Sequence, residues 1–326
     1  MSVGAYARAS DTGRKRRHNE DSYVVQPPLF AVADGMGGAQ AGEVASKLAA
    51  GALEETDPGA LSGPDKLVSL IQEANRRVYE RASSDPTTSG MGTTMTVALV
   101  EGNGVTIGHV GDSRAYVVRE GRLEQLTEDH SLVNELLKTG KLSREEADIH
   151  PQRSVITRAV GTDPDVDVDA FVVDASDGDI FLLCSDGLTD MVGDDDILET
   201  VERHRDDLDR ATKALVSAAN RGGGEDNITV IAFTIAADGD ATMRMPAQEA
   251  AADDDTVEHA VPMPSIDTMV VPAHELEDMY VEAGSPEAAE LGRRDPITPA
   301  ARARLVLTML ALLGIAAVLL VVGLTR

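Results

Sequence analysis

The chain has 326 residues and sets 29 Lys and Arg against 56 Asp and Glu, a formal net charge of -27. Acidity on that scale repels phosphate backbones, so nucleic acid is excluded as a partner class. Aromatic residues make up 3% and Trp is absent, while the hydrophobic fraction is 42%, so a core must be built from Val, Leu, Ile, Ala and Met.

Met1–Ala9 lacks an apolar run, and no secretory signal peptide is expected. The basic run Arg14-Lys15-Arg16-Arg17 follows, directly ahead of Asn19-Glu20-Asp21. Such runs often bind acidic surfaces or nothing at all, and their position before these acids leaves a phosphate-binding role open as well. Short β-branched or apolar runs bounded by Gly, Asp or Pro predict strands over Ser22–Gln26, Leu29–Ala33, Thr93–Val100, Val105–Val110, Ala115–Arg119, Phe171–Val173, Asp179–Cys184 and Ile228–Ile235. Helical spacing of Val44, Leu48, Ala52 and Leu53 predicts a helix over Gln40–Glu55. Leu67, Leu70, Ile71, Ala74 and Val78 predict another over Asp65–Ala82, with acid early and Arg late. A third, Asp207–Arg221, is stopped by Gly222-Gly223-Gly224. The turns Glu101-Gly102-Asn103-Gly104 and Arg119-Glu120-Gly121-Arg122 favour antiparallel hairpins. The polar stretch Asp129 to Gly161 holds one short helix, Ser131–Thr139. His130 there reads as a surface or capping residue, with a functional role left open, and His109, inside a strand, reads as structural. Cys184, the only cysteine, reads as core and fits a reducing compartment. The fold class expected for residues 1–236 is α+β: two antiparallel β-sheets in a sandwich flanked by α-helices, in αββα layers.

Residues 237–304 are rich in Ala, Asp, Glu and Pro, include Asp253-Asp254-Asp255, and show no sustained period. They read as a disordered acidic tether. From Leu305 to Leu324 no charge interrupts the chain, a length comparable to the roughly 20 residues that span a bilayer. Arg293, Arg294, Arg302 and Arg304 precede this run and Arg326 follows it. The expectation is one transmembrane helix at 305–324, in contact with membrane lipid, with the folded part cytoplasmic and residues 325–326 on the far side.

Asp34, Asp112, Asp186 and Asp226 each stand at an end of an apolar strand, with Gly35, Gly111, Gly187 or Asn227 beside them. Carboxylates on rigid strand ends repel one another where they converge, unless divalent cations occupy the gap. Oxygen ligands without a His or Cys cluster suit Mg²⁺ or Mn²⁺ and disfavour zinc. Each Asp-Gly pair by itself also reads as an ordinary turn. The residues alone leave a shared metal site and a set of turns both open.

At these positions the chain resembles the metal-dependent protein phosphatase family, the type 2C serine/threonine phosphatases of bacterial type. The matching motifs are Arg16-Arg17-His18-Asn19-Glu20-Asp21, Val32-Ala33-Asp34-Gly35-Met36-Gly37-Gly38, Gly92-Thr93-Thr94, Gly111-Asp112-Ser113-Arg114-Ala115-Tyr116, Ser185-Asp186-Gly187-Leu188-Thr189-Asp190 and Asp226-Asn227-Ile228-Thr229-Val230. Each is weak alone; six in the family's order, across Gly4 to Thr234, are specific. The resemblance implies that Asp34 bridges two Mn²⁺ or Mg²⁺ ions and that Gly35 lends its carbonyl. It implies that Asp186 and Asp226 complete the first ion's ligands, that Glu20 or Asp21 serves the second directly or through water, and that Asp112 and Asp190 hold a third, weaker ion. Arg16 would hold the substrate phosphate, with Arg17 its nearest competitor. A hydroxide shared by the two ions would then attack phosphoserine or phosphothreonine in proteins, making Asp34 and Arg16 the catalytic residues. A serine/threonine kinase and its substrates are the partners implied. Asp129–Gly161 matches the family's flap. Met36 stands where some members carry a His thought to protonate the leaving group, which leaves the general acid unassigned. Three rivals remain: a tethered pseudophosphatase that binds without cleaving, a small-molecule or nucleotide phosphohydrolase on the same fold, and a scaffold in which the anchor and acidic tether are the main function.

Overall fold

A computed structural model of the chain describes residues 1–37, 41–57, 59–148, 150–237 and 269–270. Of its two units, Met1–His274 and Glu275–Arg326, the second lies outside the described residues. In chain order the elements are β1 (Ser2–Asp11), β2 (Asp21–Gln26), β3 (Leu29–Met36), α1 (Ala41–Glu55), α2 (Gly63–Ser84), β4 (Gly92–Thr93), β5 (Met95–Glu101), β6 (Gly104–Val110), β7 (Arg114–Arg119), β8 (Arg122–Gln125), α3 (Leu132–Lys138), α4 (Arg144–Asp148), β9 (Val155–Ile156), β10 (Asp169–Asp174), β11 (Ile180–Cys184), α5 (Asp186–Thr189), α6 (Asp194–Arg203), α7 (Leu208–Gly222), β12 (Ile228–Ala236) and β13 (Met269–Val270).

Strands covered on both faces need apolar side chains pointing both ways, which is why these runs are apolar throughout instead of alternating with polar residues. Along β3, Phe30 and Val32 face a second sheet while Ala31 and Ala33 face helices. On β11, Phe181 and Leu183 point inward, and Ile180, Leu182 and Cys184 outward. The strands form two antiparallel sheets, β1-β12-β11-β7-β8 and β10-β6-β5-β3-β2, with β4 added against β3. Between the sheets, Phe30 stacks on Phe233 at 4.3 Å between ring centres, and Phe181 packs against Phe233 at 5.4 Å. Three of the chain's four Phe thus fill one layer. Helices α1 and α2 cover one outer face, where Ala41, Ala45, Ala49 and Ala52 let α1 lie close to the sheet. Residues of α6 and α7 cover the other, through Ile197, Val201, Leu208, Leu215 and Ala219. The expected sandwich with flanking helices is therefore present.

Strands β1, β8, β9 and β13 escaped the sequence reading. β1 is poor in β-branched residues, and its strand character comes from pairing with β12, from Ser2↔Ala236 to Asp11↔Ile228. β8 is polar and exposed, and is defined by the turn before it, where Glu120 (φ 51) and Gly121 (φ 71) give the two left-handed residues that a tight hairpin needs. Inside the expected tether, β13 lies parallel to β9, with Met269↔Val155 and Val270↔Ile156.

The expected membrane location needs correction. Among the described residues no helix is long and apolar enough to cross a membrane. The run Leu305–Leu324 that motivated the expectation, and with it the lipid contact, lies outside the described residues, as does most of the tether.

Candidate metal centre

Antiparallel register places Asp21, at the start of β2, directly opposite Asp34 on β3. Two like charges in such a pair destabilise a sheet unless something compensates them. Asp21 is buried, and its Oδ2 accepts hydrogen bonds from Ser185 Oγ (2.9 Å) and Thr229 Oγ1 (2.6 Å). Asp34 keeps part of its surface open. Its backbone is fixed on both sides: its N–H donates to Thr94 Oγ1 at 3.0 Å, and its carbonyl accepts from Thr93 Oγ1 at 2.7 Å. Gly35 must be glycine here, because a Cβ would strike the carbonyls of Gly42 and Glu20.

The remaining acids arrive from other strand ends. Asp186 opens α5 just after β11, and Asp226 immediately precedes Asn227 and β12. Burial and then the charges of Asp21, Asp186, Asp226 and Asp112 hold the Asp34 carboxyl well above the usual range. Asp186 is likewise raised, by burial and by Asp112, Asp226 and Asp190. Burial lifts Asp21 to about 6, against the lowering effect of its hydrogen bonds to Thr229 and Ser185. It lifts Asp112 to about 7, helped by Asp129 and Asp190. Asp21 Oδ1 and Asp186 Oδ1 are buried without a hydrogen-bond partner. Buried carboxylate oxygens in that state are costly, and a divalent cation is the group that satisfies several at once. The donor set therefore fits hard cations bound by oxygen. Among the described residues no three His, Cys, Asp or Glu side chains are already closed around one point. The grouping rests on mutual electrostatic influence and on a shared hollow.

That hollow is lined by Arg16, Glu20, Asp34, Gly35, Met36, Gly37 and Asp226. Arg16 Nη2 donates to Asp226 Oδ2 at 2.8 Å, so its guanidinium already sits at the rim. Arg17 is exposed and does not line the hollow. A wider groove adjoins, lined by Asp112, Asp186 and Asp190 on one side and by Ser131, Val133, Leu137 and Arg153 of the flap on another. Arg153 Nη2 lies 3.8 Å from Asp190 Oδ2. Of the acids named from the sequence, Glu20, Asp34 and Asp226 share the hollow, Asp112 and Asp190 share the groove, and Asp186 lines the groove while acting on Asp34.

Sequence reasoning missed the supports. Asn227 Oδ1 accepts from Glu20 N at 2.7 Å, and its Nδ2 donates to the carbonyls of Thr12 and His18, each at 2.9 Å. This pins the loop that carries Arg16. The signal was available in the Asp-Asn pair, since a side-chain amide offers both donor and acceptor. His130 is buried, not a surface residue. Met36 is buried too, packed with Ile156 and Ala159 of the flap, so it closes the site's edge with an apolar contact. Cys184 sits in the core as expected, its thiol pushed up to about 12 by burial.

The model of the family described as protein phosphatase 2C matches residues 13–222. The serine/threonine phosphatase stp of Listeria welshimeri is 42% identical over 233 residues, which are 68% of this chain and 92% of that protein. The crystal structure of the Mycobacterium tuberculosis serine/threonine phosphatase PstP/Ppp superposes with a TM-score of 0.68 at 40% identity, over 72% of this chain and all of that one. A structure of the catalytic domain of PstP in complex with two manganese ions superposes at 0.66 and 38% identity, over 73% and 100% of the two chains.

Proposed function

Since this chain belongs to the protein phosphatase 2C family, we propose that the hollow around Asp34 is the centre of a bacterial-type serine/threonine protein phosphatase. It is a hydrolase of phosphoserine and phosphothreonine in proteins, and its cofactor is Mn²⁺ or Mg²⁺. The observation that carries this reading is the convergence of buried acids with unpartnered oxygens beside a rim arginine.

In this reading Asp34, Asp186 and Asp226 would hold one cation, Asp34 with Glu20 or Asp21 would serve the second, and the Gly35 carbonyl would lend a further oxygen. Asp112 and Asp190 would hold a third, weaker ion. When bound, the cations neutralise the clustered carboxylates and lower the pKa of water. Arg16 orients the substrate phosphate and stabilises charge on its oxygens, because positioning and electrostatics dominate phosphoryl transfer. Asp226 presets the guanidinium through their ion pair. The Met36 contact with Ile156 and Ala159 keeps bulk water from that edge. Residues 1–236 are taken as the catalytic domain. A phosphoprotein substrate requires a kinase to make it, so the enzyme is placed opposite a serine/threonine kinase.

The test compares hydrolysis of phosphothreonine peptide, phosphotyrosine peptide and nucleotide, with Mn²⁺ and with chelator. Turnover should favour the phosphothreonine peptide and vanish on chelation. Asp34→Ala and Asp186→Ala should each lower kcat by at least about a hundredfold. Near-normal turnover by either variant would refute the assignment, and preference for the nucleotide would point to a different hydrolase.

A further inference from the structure

His130 begins the flap and is doubly joined to Gly111, the residue before Asp112. Its backbone N–H donates to the Gly111 carbonyl at 2.8 Å, and its ring Nδ1 accepts the Gly111 N–H at 2.9 Å. An imidazole nitrogen that accepts a hydrogen bond carries no proton, so the ring proton is on Nε2. Nε2 lies 3.1 Å from Asp169 Oδ2, which takes that proton in a hydrogen bond. Arg158 Nη1 donates to the other oxygen of Asp169 at 2.7 Å and stands 3.0 Å from Nε2. Asp169 thus fixes the tautomer and Arg158 fixes Asp169. Burial and the Arg158 cation hold the ring's pKa below its ordinary value, which keeps it neutral and Nδ1 open.

Three further contacts show what this ring connects. The carbonyl of His130 accepts from Thr157 N at 2.8 Å, and Ser131 bridges Ile156, which tie it to the returning arm of the flap. His109, the last β6 residue but one, packs against His130 with ring centres 4.7 Å apart, and its own nitrogens meet Thr96 Oγ1 and the Glu128 carbonyl. Gly111 has φ +111, and a Cβ there would come within 2.6 Å of Thr94 Cβ, so the backbone leading to Asp112 has little freedom of its own. Among the described residues, the side chain that accepts from the Gly111 amide is His130.

We propose that His130 is a positioning residue: by accepting the Gly111 N–H it sets the backbone that aims Asp112 into the groove, and it makes that aim depend on the flap. His130 lines neither the hollow nor the groove. Its effect on turnover rests on the phosphatase reading above, whereas its effect on Gly111 does not.

Two substitutions in the full-length chain separate this role from simple packing. In His130→Asn the side-chain oxygen hangs from Cγ, as Nδ1 does, and keeps an acceptor for Gly111. In His130→Gln the amide reaches toward the Nε2 position and leaves Gly111 N–H without its partner. Hydrogen exchange at Gly111, followed in peptides spanning it, should stay within about twofold of the unsubstituted chain for Asn and accelerate about tenfold for Gln. The Mn²⁺ concentration for half-maximal hydrolysis of a phosphothreonine peptide should rise in the same order. Equal exchange in the two variants would overturn the proposal, and so would a Mn²⁺ requirement that does not follow the exchange. If both variants fail to fold, Asp169→Ala replaces them, since Asp169 is 44% exposed and its loss frees the ring's tautomer. It should accelerate Gly111 exchange, and an unchanged rate would count against the proposal. An unsubstituted chain that does not hydrolyse the peptide would remove the function proposed above, while the exchange experiment still decides the role of His130.

Discussion

Asn227 shows how much a single amide can organise. Its three hydrogen bonds go to groups on one loop, and that loop presents Arg16. Asn227→Ala leaves two carbonyls and one N–H of a part-buried loop unmatched, which costs about 1–3 kcal/mol. The expected result is a lowered urea midpoint with an unchanged m-value, and a KM for phosphopeptide that rises more than kcat falls. A fall in kcat alone would mean that the loop does not position Arg16. At this scale the sequence was informative about the acids, since an Asp at the end of an apolar run is a local pattern. It was uninformative about His130, whose partners Gly111, Arg158 and Asp169 are remote in the chain. A ring's burial follows from such partners, and no window of neighbouring residues contains them.

The strands that were legible are those whose own residues are apolar on both faces, such as β3, β6, β11 and β12. β1 was not, because Ala, Gly, Ser and Arg state no preference and the pairing with β12 decides. The helices α1, α2 and α7 were found within a few residues of their ends, as amphipathic spacing and a Gly stop allow. The layer between the sheets is the energetic centre of these elements. Phe233 is fully buried between Phe30 and Phe181, so Phe233→Ala removes both stacks and opens a cavity. A loss of about 3–5 kcal/mol is expected in chemical denaturation. A loss below about 1 kcal/mol would show that the sheets close up over the gap.

For the molecule as a whole, the clustered acids make stability depend on pH and on metal together. Burial raises the folded-state pKa values of Asp21 and Asp112 to about 6 and about 7, above the ordinary aspartate range. A raised acid binds its proton more tightly when folded, so its stabilisation is present below about pH 4 and is lost as pH rises through 6 and 7. Ion-paired Glu73, lowered to about 2 by Arg76 and Arg77, works in the opposite sense and loses its contribution only under strong acid. Chelated protein should therefore melt highest near pH 5 in calorimetry and about 5 °C or more lower at pH 8, and excess Mn²⁺ should remove the decline. A melting temperature that ignores Mn²⁺ at pH 8 would contradict the proposed centre. A chain ending at Ala237 is expected to keep its phosphatase activity and one cooperative transition. Loss of catalysis in that truncation would place an essential part of the enzyme beyond β12.

The pairing of β1 with β12 also sets a schedule for synthesis. Among the described strands β1 pairs only with β12, so it has no strand neighbour until residues 228–236 have been made, and its edge of the sheet stays unfinished until then. Asp226 emerges just before that strand, and with it the carboxylate that pairs with Arg16. A ribosome-bound chain that stops short of residue 226 is expected to hydrolyse no phosphopeptide, because it lacks both Asp226 and the strand that pairs with β1.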